Sequence, residues 1–401
     1  MQDYKKHILE QLEQGKLSAT EALDLLSQDQ SAPQPNRPNY QEIPNKNTDE
    51  RANEKAEQKT QPQDDNWVSS TVNEVSGWAE ELFNWAGEEV NHIVESVQDY
   101  NLKDTISDIM TGKYGRYVHN ITLASQPINQ GISILTIIGK NAKVEVTSWD
   151  GDTVQLECKY DARRPDTHIF LNEENGNIRL EYNESLMRYV QIKCKVPRVI
   201  INTMNIGTKN EVLHIAGVEA ETINLLTKNE LLKIENVSCI TLAAQTRNAS
   251  IKACGITAEV INFETKNDSI KVEDIETNTL HMKTTNARIS ASHLDVAELF
   301  MHTTNAGIKL DKQLFTDTHW EGTRYLEVHT TNGGITFLPP NRVGINIHAQ
   351  TTNGSIKYKL DDMYFSHLEK TILEGKSQTY DFTDMKLDVQ LSTTNASIKI
   401  K

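Results

Sequence analysis

The side chains that come closest to a reactive cluster are histidines. His302 and His329 each stand three residues before the asparagine of a recurring Thr-x-Asn triplet, and His281 and His348 stand two residues earlier in theirs. Stacking of the repeats would set His302 beside His329 on an outer face. A metal centre needs three or four converging ligands with a fixed supporting shell, so these positions read as an exposed polar column. No Gly-x-Ser-x-Gly, His-Glu-x-x-His, phosphate-loop or dinucleotide pattern occurs. The sequence therefore predicts no catalytic residue, no metal and no cofactor. Cys158, Cys194, Cys239 and Cys254 lack Cys-x-x-Cys spacing, which argues against zinc and against a redox pair. All four are expected as free thiols in a reducing compartment.

A second chemical pattern is a basic column. Lys209, Lys228, Arg247 and Lys266 each stand just before the triplet asparagine, where stacked cations could hold a polyanion. Glu211, Glu230 and Asp268 lie two residues away in the same turns and are expected to neutralise it. Later repeats carry Thr285, Thr304, Thr331 and Thr352 instead. The whole chain has 41 basic and 56 acidic residues, a net charge of −15. That sign repels nucleic-acid phosphates, so no nucleic-acid partner is expected.

These side chains are positioned by a repeat. The triplet asparagines stand at 210, 229, 248, 267, 286 and 305, five intervals of 19 residues, and then at 332, 353 and 395. A fixed short period marks stacked supersecondary units. Six residues before the asparagine come Ile223, Leu242, Ile261, Leu280 and Leu299. Four before come Leu225, Ala244, Phe263, Met282 and Met301, with polar residues between. Period two means a strand with one buried face. Apolar residues resume three, five and eight positions after the asparagine. The prediction is a mainly β protein, a parallel β-solenoid of about 19-residue rungs. Parity turns Thr227, Thr246, Thr265, Thr284 and Thr303 inward, while Asn229, Asn248, Asn267, Asn286 and Asn305 form a structural side-chain ladder at a corner. An asparagine at a tight corner also suits the left-handed backbone region.

Residues 201–401 hold these rungs. Residues 117–200 keep the texture, with degenerate copies at Asn141 and Asn175, and read as an N-terminal cap. The longer gaps after Asn305 and Asn353 are insertions of about eight and twenty-odd residues on a 19-residue rung. The second, roughly 360–386, is expected to fold over the C-terminal end.

Ahead of the solenoid, residues 1–28 read as a helical hairpin, with Tyr4, Ile8, Leu9 and Leu12 at helical spacing and a Ser18–Glu21 capping box. Residues 29–66 hold five of the ten prolines among polar residues and read as a disordered tether. Residues 67–116 read as an acidic amphipathic helical segment. Trp78, Leu82, Trp85 and Ile93 lie along or beside its apolar seam, and Glu80, Glu81, Glu88 and Glu89 lie on its polar face. Anionic lipid would repel that face, so protein docking or self-association through residues 1–110 is the favoured reading and peripheral membrane contact the alternative. The N-terminus lacks the apolar core of a secretory signal, and no run approaches the roughly 20 residues a membrane span needs.

The YKKHILEQLEQGKLSATEALDLL opening resembles the short SHOCT-like helical hairpin. The T-[TK]-N-x-x-I-K-[IV] rungs resemble the bacterial putative-adhesin β-strand-repeat family, in the combination found in YvlB-like and LiaX-like proteins. The resemblance covers residues 3–28 and about 120–401. It implies a non-enzymatic interaction or scaffold protein linked to the cell-envelope stress response, cytoplasmic or at the membrane periphery. The alternative reading is a surface adhesin or a binder of envelope carbohydrate or anionic polymer, reaching the cell surface by a non-classical route.

Overall fold

The computed structural model describes residues 116–310, 321–340, 343–360 and 362–401. The hairpin, tether and acidic helical segment expected before residue 116 lie outside the described residues, and with them Trp78, Leu82, Trp85 and Ile93. Among the described residues the protein is mainly β, with 23 strands in one continuous sheet and no helix long and apolar enough to cross a membrane.

The central rungs are single long strands: Leu232–Gln245, Ile251–Glu264, Ile270–Thr284 and Ile289–Thr303. Each pairs in parallel with the next at an offset of 19 residues, as in Leu232↔Ile251↔Ile270↔Ile289↔Ile308. Like residues therefore lie one strand spacing apart, about 4.8 Å. Every apolar column of the repeat is interior: Leu242, Ile261, Leu280 and Leu299 are fully buried, as are Leu232, Ile251, Ile270 and Ile289.

Each long strand bends once, seven residues past the asparagine. Gly217, Asn236, Gly255, Asp274 and His293 occupy that position with φ between 52 and 68°. Pairing skips it, running from Glu235↔Cys254 directly to Val237↔Ile256. This corrects the expectation for the corner asparagines: none of the ladder asparagines is among the residues with positive φ. The left-handed bend lies at the opposite corner, filled by glycine and by the three non-glycine types that tolerate it best.

Both ends depart from simple stacking. Ile132–Gly139 pairs in parallel with Ile201–Thr208, and Ala142–Trp149 with Leu213–Ala216, so residues 132–149 form a rung despite the 69-residue offset. Between them, Gln155–Ala162 pairs antiparallel with Tyr117–Ala124 and with Met187–Pro197. Asn175 is not a degenerate corner. It has φ 52° beside Gly176 at 79° and turns the antiparallel hairpin of Ile169–Glu174 and Asn177–Tyr182, the use to which an Asn-Gly pair is best suited.

At the other end the spatial order breaks from chain order. Gly322–Thr330 and Gly344–Thr351 do not pair with each other. Met385–Thr393 lies between them, parallel to both. Ile398–Ile400 likewise separates Ile335–Phe337 from Ile356–Tyr358. Ile372–Ser377 then covers Gly344–Thr351 in antiparallel fashion and pairs with Met363–Leu368, closing the end.

Candidate binding surface

The Thr-x-Asn corner is built from two columns. Outside, the side-chain amide of each asparagine donates to the carbonyl oxygen of its neighbour at 2.7–2.8 Å, in the order Asn353, Asn395, Asn332, Asn305, Asn286, Asn267, Asn248, Asn229, Asn210, Asn141. All nine bonds run the same way. Inside, Thr227, Thr246, Thr265, Thr284 and Thr303 are buried. The hydroxyls of Thr265, Thr284 and Thr303 donate to the carbonyls of Ala249, Asp268 and Ala287 in the rung before, at 2.9–3.0 Å. Those of Thr208, Thr227 and Thr246 have no hydrogen-bond partner.

The basic column runs beside this ladder. The carbonyls of Lys140, Lys209, Lys228, Arg247 and Lys266 accept the backbone N–H of Asn210, Asn229, Asn248, Asn267 and Asn286 in turn, at 2.8–3.0 Å. The five cationic residues thus sit on consecutive rungs. Lys140 escapes the sequence reading because its repeat lacks the preceding threonine; the Lys-Asn pair itself is the usable signal. The neighbouring acids do not close ion pairs with this column. Among the described residues no carboxylate forms an ion pair, within 4.0 Å, with Lys209, Lys228, Arg247 or Lys266. The Lys209 ammonium is held below its ordinary pKa by burial first, then by the like charges of Lys140 and Lys228, with Glu184 opposing.

The outer face before the corner carries rings. His281 and Phe300 stack at 4.5 Å between centroids, Phe300 meets Tyr325 at 5.7 Å, and His302 stacks on His329 at 4.9 Å. His329 also lies 2.7 Å, through Nδ1, from Ser392 Oγ. Burial holds the His281 imidazole below its ordinary pKa. Burial, then His329 and then Lys283, do the same to His302. Phe300 and Tyr325 were not singled out from the sequence, although they occupy outward positions of the same strands. A groove of about 180 Å³ opens here, lined by Gln245, Asn262, Glu264, His281, Phe300 and His302. Flat rings flanked by amide and carboxylate groups can stack on the C–H face of a sugar ring while hydrogen-bonding its hydroxyls. Among the described residues no three His, Cys, Asp or Glu side chains come together as metal ligands would. The four cysteines are free; burial raises Cys158 and Cys239 to about 12 and Cys194 higher still.

A family model described as Toastrack DUF4097 matches residues 132–400. No curated protein matches the chain. Among solved structures, a putative adhesin from Parabacteroides distasonis ATCC 8503 is 8% identical, with 72% of this chain and 98% of that chain covered and a TM-score of 0.41. A putative adhesin from Parabacteroides merdae ATCC 43184 is 8% identical, covers 71% and 96%, and has a TM-score of 0.43. A putative lipid binding protein from Parabacteroides distasonis ATCC 8503 is 10% identical, covers 71% and 97%, and has a TM-score of 0.42.

Proposed function

The chain belongs to the Toastrack DUF4097 family, and from that premise we propose that it is a non-enzymatic binding protein whose solenoid is a rigid surface for an envelope polymer. One observation carries the reading: the ring-lined groove of His281, Phe300 and His302, bordered by Gln245, Asn262 and Glu264, on an outer face that the parallel ladder fixes in register. A rigid sheet presents such groups with little ordering cost on binding, which favours affinity from modest contacts. In this reading residues 1–110 recruit a protein partner or self-associate, and the whole takes part in a cell-envelope stress response from the cytoplasm or the membrane periphery. A surface location by a non-classical route is the alternative.

The test is co-sedimentation of the full chain with purified cell-wall polysaccharide. Phe300→Ala with His302→Ala should weaken retention about tenfold, the equivalent of about 1.4 kcal/mol, with the melting temperature close to that of the parent. Equal retention of parent and variant would remove the groove from the account. Cell fractionation separates the two locations: recovery only from the cytoplasm excludes the surface alternative.

A further inference from the structure

We infer that the column Lys140, Lys209, Lys228, Arg247 and Lys266 is a rail for a linear, phosphate-bearing polyanion. The inference deepens the polymer-binding reading and rests on it, because the rail borders the same outer strands that carry the groove.

The first support is what the rail's neighbours do with their charge. Several lysines in other columns are matched by acids close by: Lys233 lies 2.6 Å from Glu235, Lys271 3.4 Å from Glu273, and Lys283 3.5 Å from Glu264. In a chain with 56 acidic residues, carboxylates are available to pair. Lys209, Lys228, Arg247 and Lys266 nevertheless have no such partner among the described residues. Like charges stacked one rung apart repel: the Lys209 ammonium, held below its ordinary pKa first by burial, is lowered further by Lys140 and Lys228. A bound polyanion would relieve it.

The second support is geometry. Backbone bonds and the amide ladder hold the five residues in line, so at about 4.8 Å per rung they span about 19 Å. A single phosphate would engage two of them. Only an extended chain of anions uses all five. Beyond Lys266 the same column continues as Thr285 and Thr304, whose hydroxyls can donate to further anionic oxygens.

The third support decides the class of polymer. Sequence-tolerant binding of single-stranded nucleic acid combines a basic groove with aromatic platforms for the bases. On the rail's own rungs the positions in register with His281 hold Asn205, Asn224, Ala243 and Asn262, so the rings begin only beyond the rail, and the net charge is −15. A polymer without bases, such as inorganic polyphosphate or a polyol phosphate, fits better. Glu184 near Lys140, whose carboxylate accepts the Lys140 backbone N–H, and the acids Glu211, Glu230 and Asp268, two residues past the cations in sequence, limit its affinity.

Fluorescence polarisation with the full chain tests this, using labelled polyphosphate, poly(glycerol phosphate) and an oligothymidylate of similar length. Either phosphate polymer should bind, with log affinity falling against log salt at a slope of about −3 to −4 for five contacts. Lys228→Glu with Arg247→Glu should weaken binding at least tenfold and flatten that slope, while Lys271→Glu, at a lysine paired with Glu273 outside the groove, should leave both unchanged. Failure of both phosphate polymers, equal binding by the rail variant, or tighter binding of the oligothymidylate would each overturn the proposal. If the rail variant binds the phosphate polymers as the parent does while the groove variant loses wall polysaccharide, the rail falls and the polymer-binding reading stands. If the parent chain retains no wall polymer, that reading falls by itself.

Discussion

Asn248 gives one amide hydrogen to Asn229 and accepts one from Asn267. Asn248→Ala therefore removes two exposed hydrogen bonds and interrupts a polarised chain in the middle, at a cost of about 1–2 kcal/mol. Calorimetry should show a lower melting temperature for it than for an alanine at Asn353, which ends the ladder and loses only the bond it donates. His302 gives a different signal. Its folded pKa lies below the ordinary histidine value, so as pH falls below about 6.5 the unfolded chain takes up the proton first. Stability that is complete above that pH should decline as the pH is lowered below it, and the melting temperature of His302→Gln should fall less on the same acidification. At this scale the sequence was informative about the ladder and the imidazole pair, because both sit at fixed offsets from a conspicuous triplet. Phe300 and Tyr325 were hidden, since a lone aromatic in an alternating strand looks the same whether it fills a core or lines a groove.

The bend in each long strand shows how an element can be legible in period and obscure in shape. Positions 217, 236, 255, 274 and 293 hold Gly, Asn, Gly, Asp and His. No single residue type fills all five positions, so the column passes unnoticed beside the unvarying asparagines. Yet all four types accept the left-handed conformation more readily than others do. Gly255 has φ 68°, and a Cβ there would stand 2.5 Å from the Asn236 side-chain oxygen. Gly255→Val should then cost about 2 kcal/mol or more. Asp274→Gly, which removes a side chain from the same conformation, should be nearly neutral. Chemical denaturation of the two variants tests the pair, and equal destabilisation would show that the bend is not what limits this corner. The Asn175–Gly176 turn was misread for a related reason: its asparagine matched the repeat by type, while the glycine after it marked a hairpin.

For the whole molecule, parallel rungs of 19 residues were readable from spacing alone, but the order of the last three was not. The segments TTNGGITF, TTNGSIKY and TTNASIKI are nearly interchangeable, so apolar pattern and corner chemistry fit any order equally well. Only the strand pairings show that the final segment lies between the other two. Truncation after residue 384 should accordingly do more than shorten the stack. It removes an interior rung, leaves Gly322–Thr330 and Gly344–Thr351 each with an open edge, and should give a species that sediments as aggregate and is cleaved by protease between residues 338 and 384. A truncated chain that stays monomeric and resistant would show that the two flanking rungs can close on each other.

Placing Met385–Thr393 between two strands that precede it in the chain has a further consequence for the order of folding. Its two neighbours cannot reach their final pairing with each other, so each waits with an open edge until the later strand slides in. Insertion of that one strand and sealing of the core around it thus become a single late event.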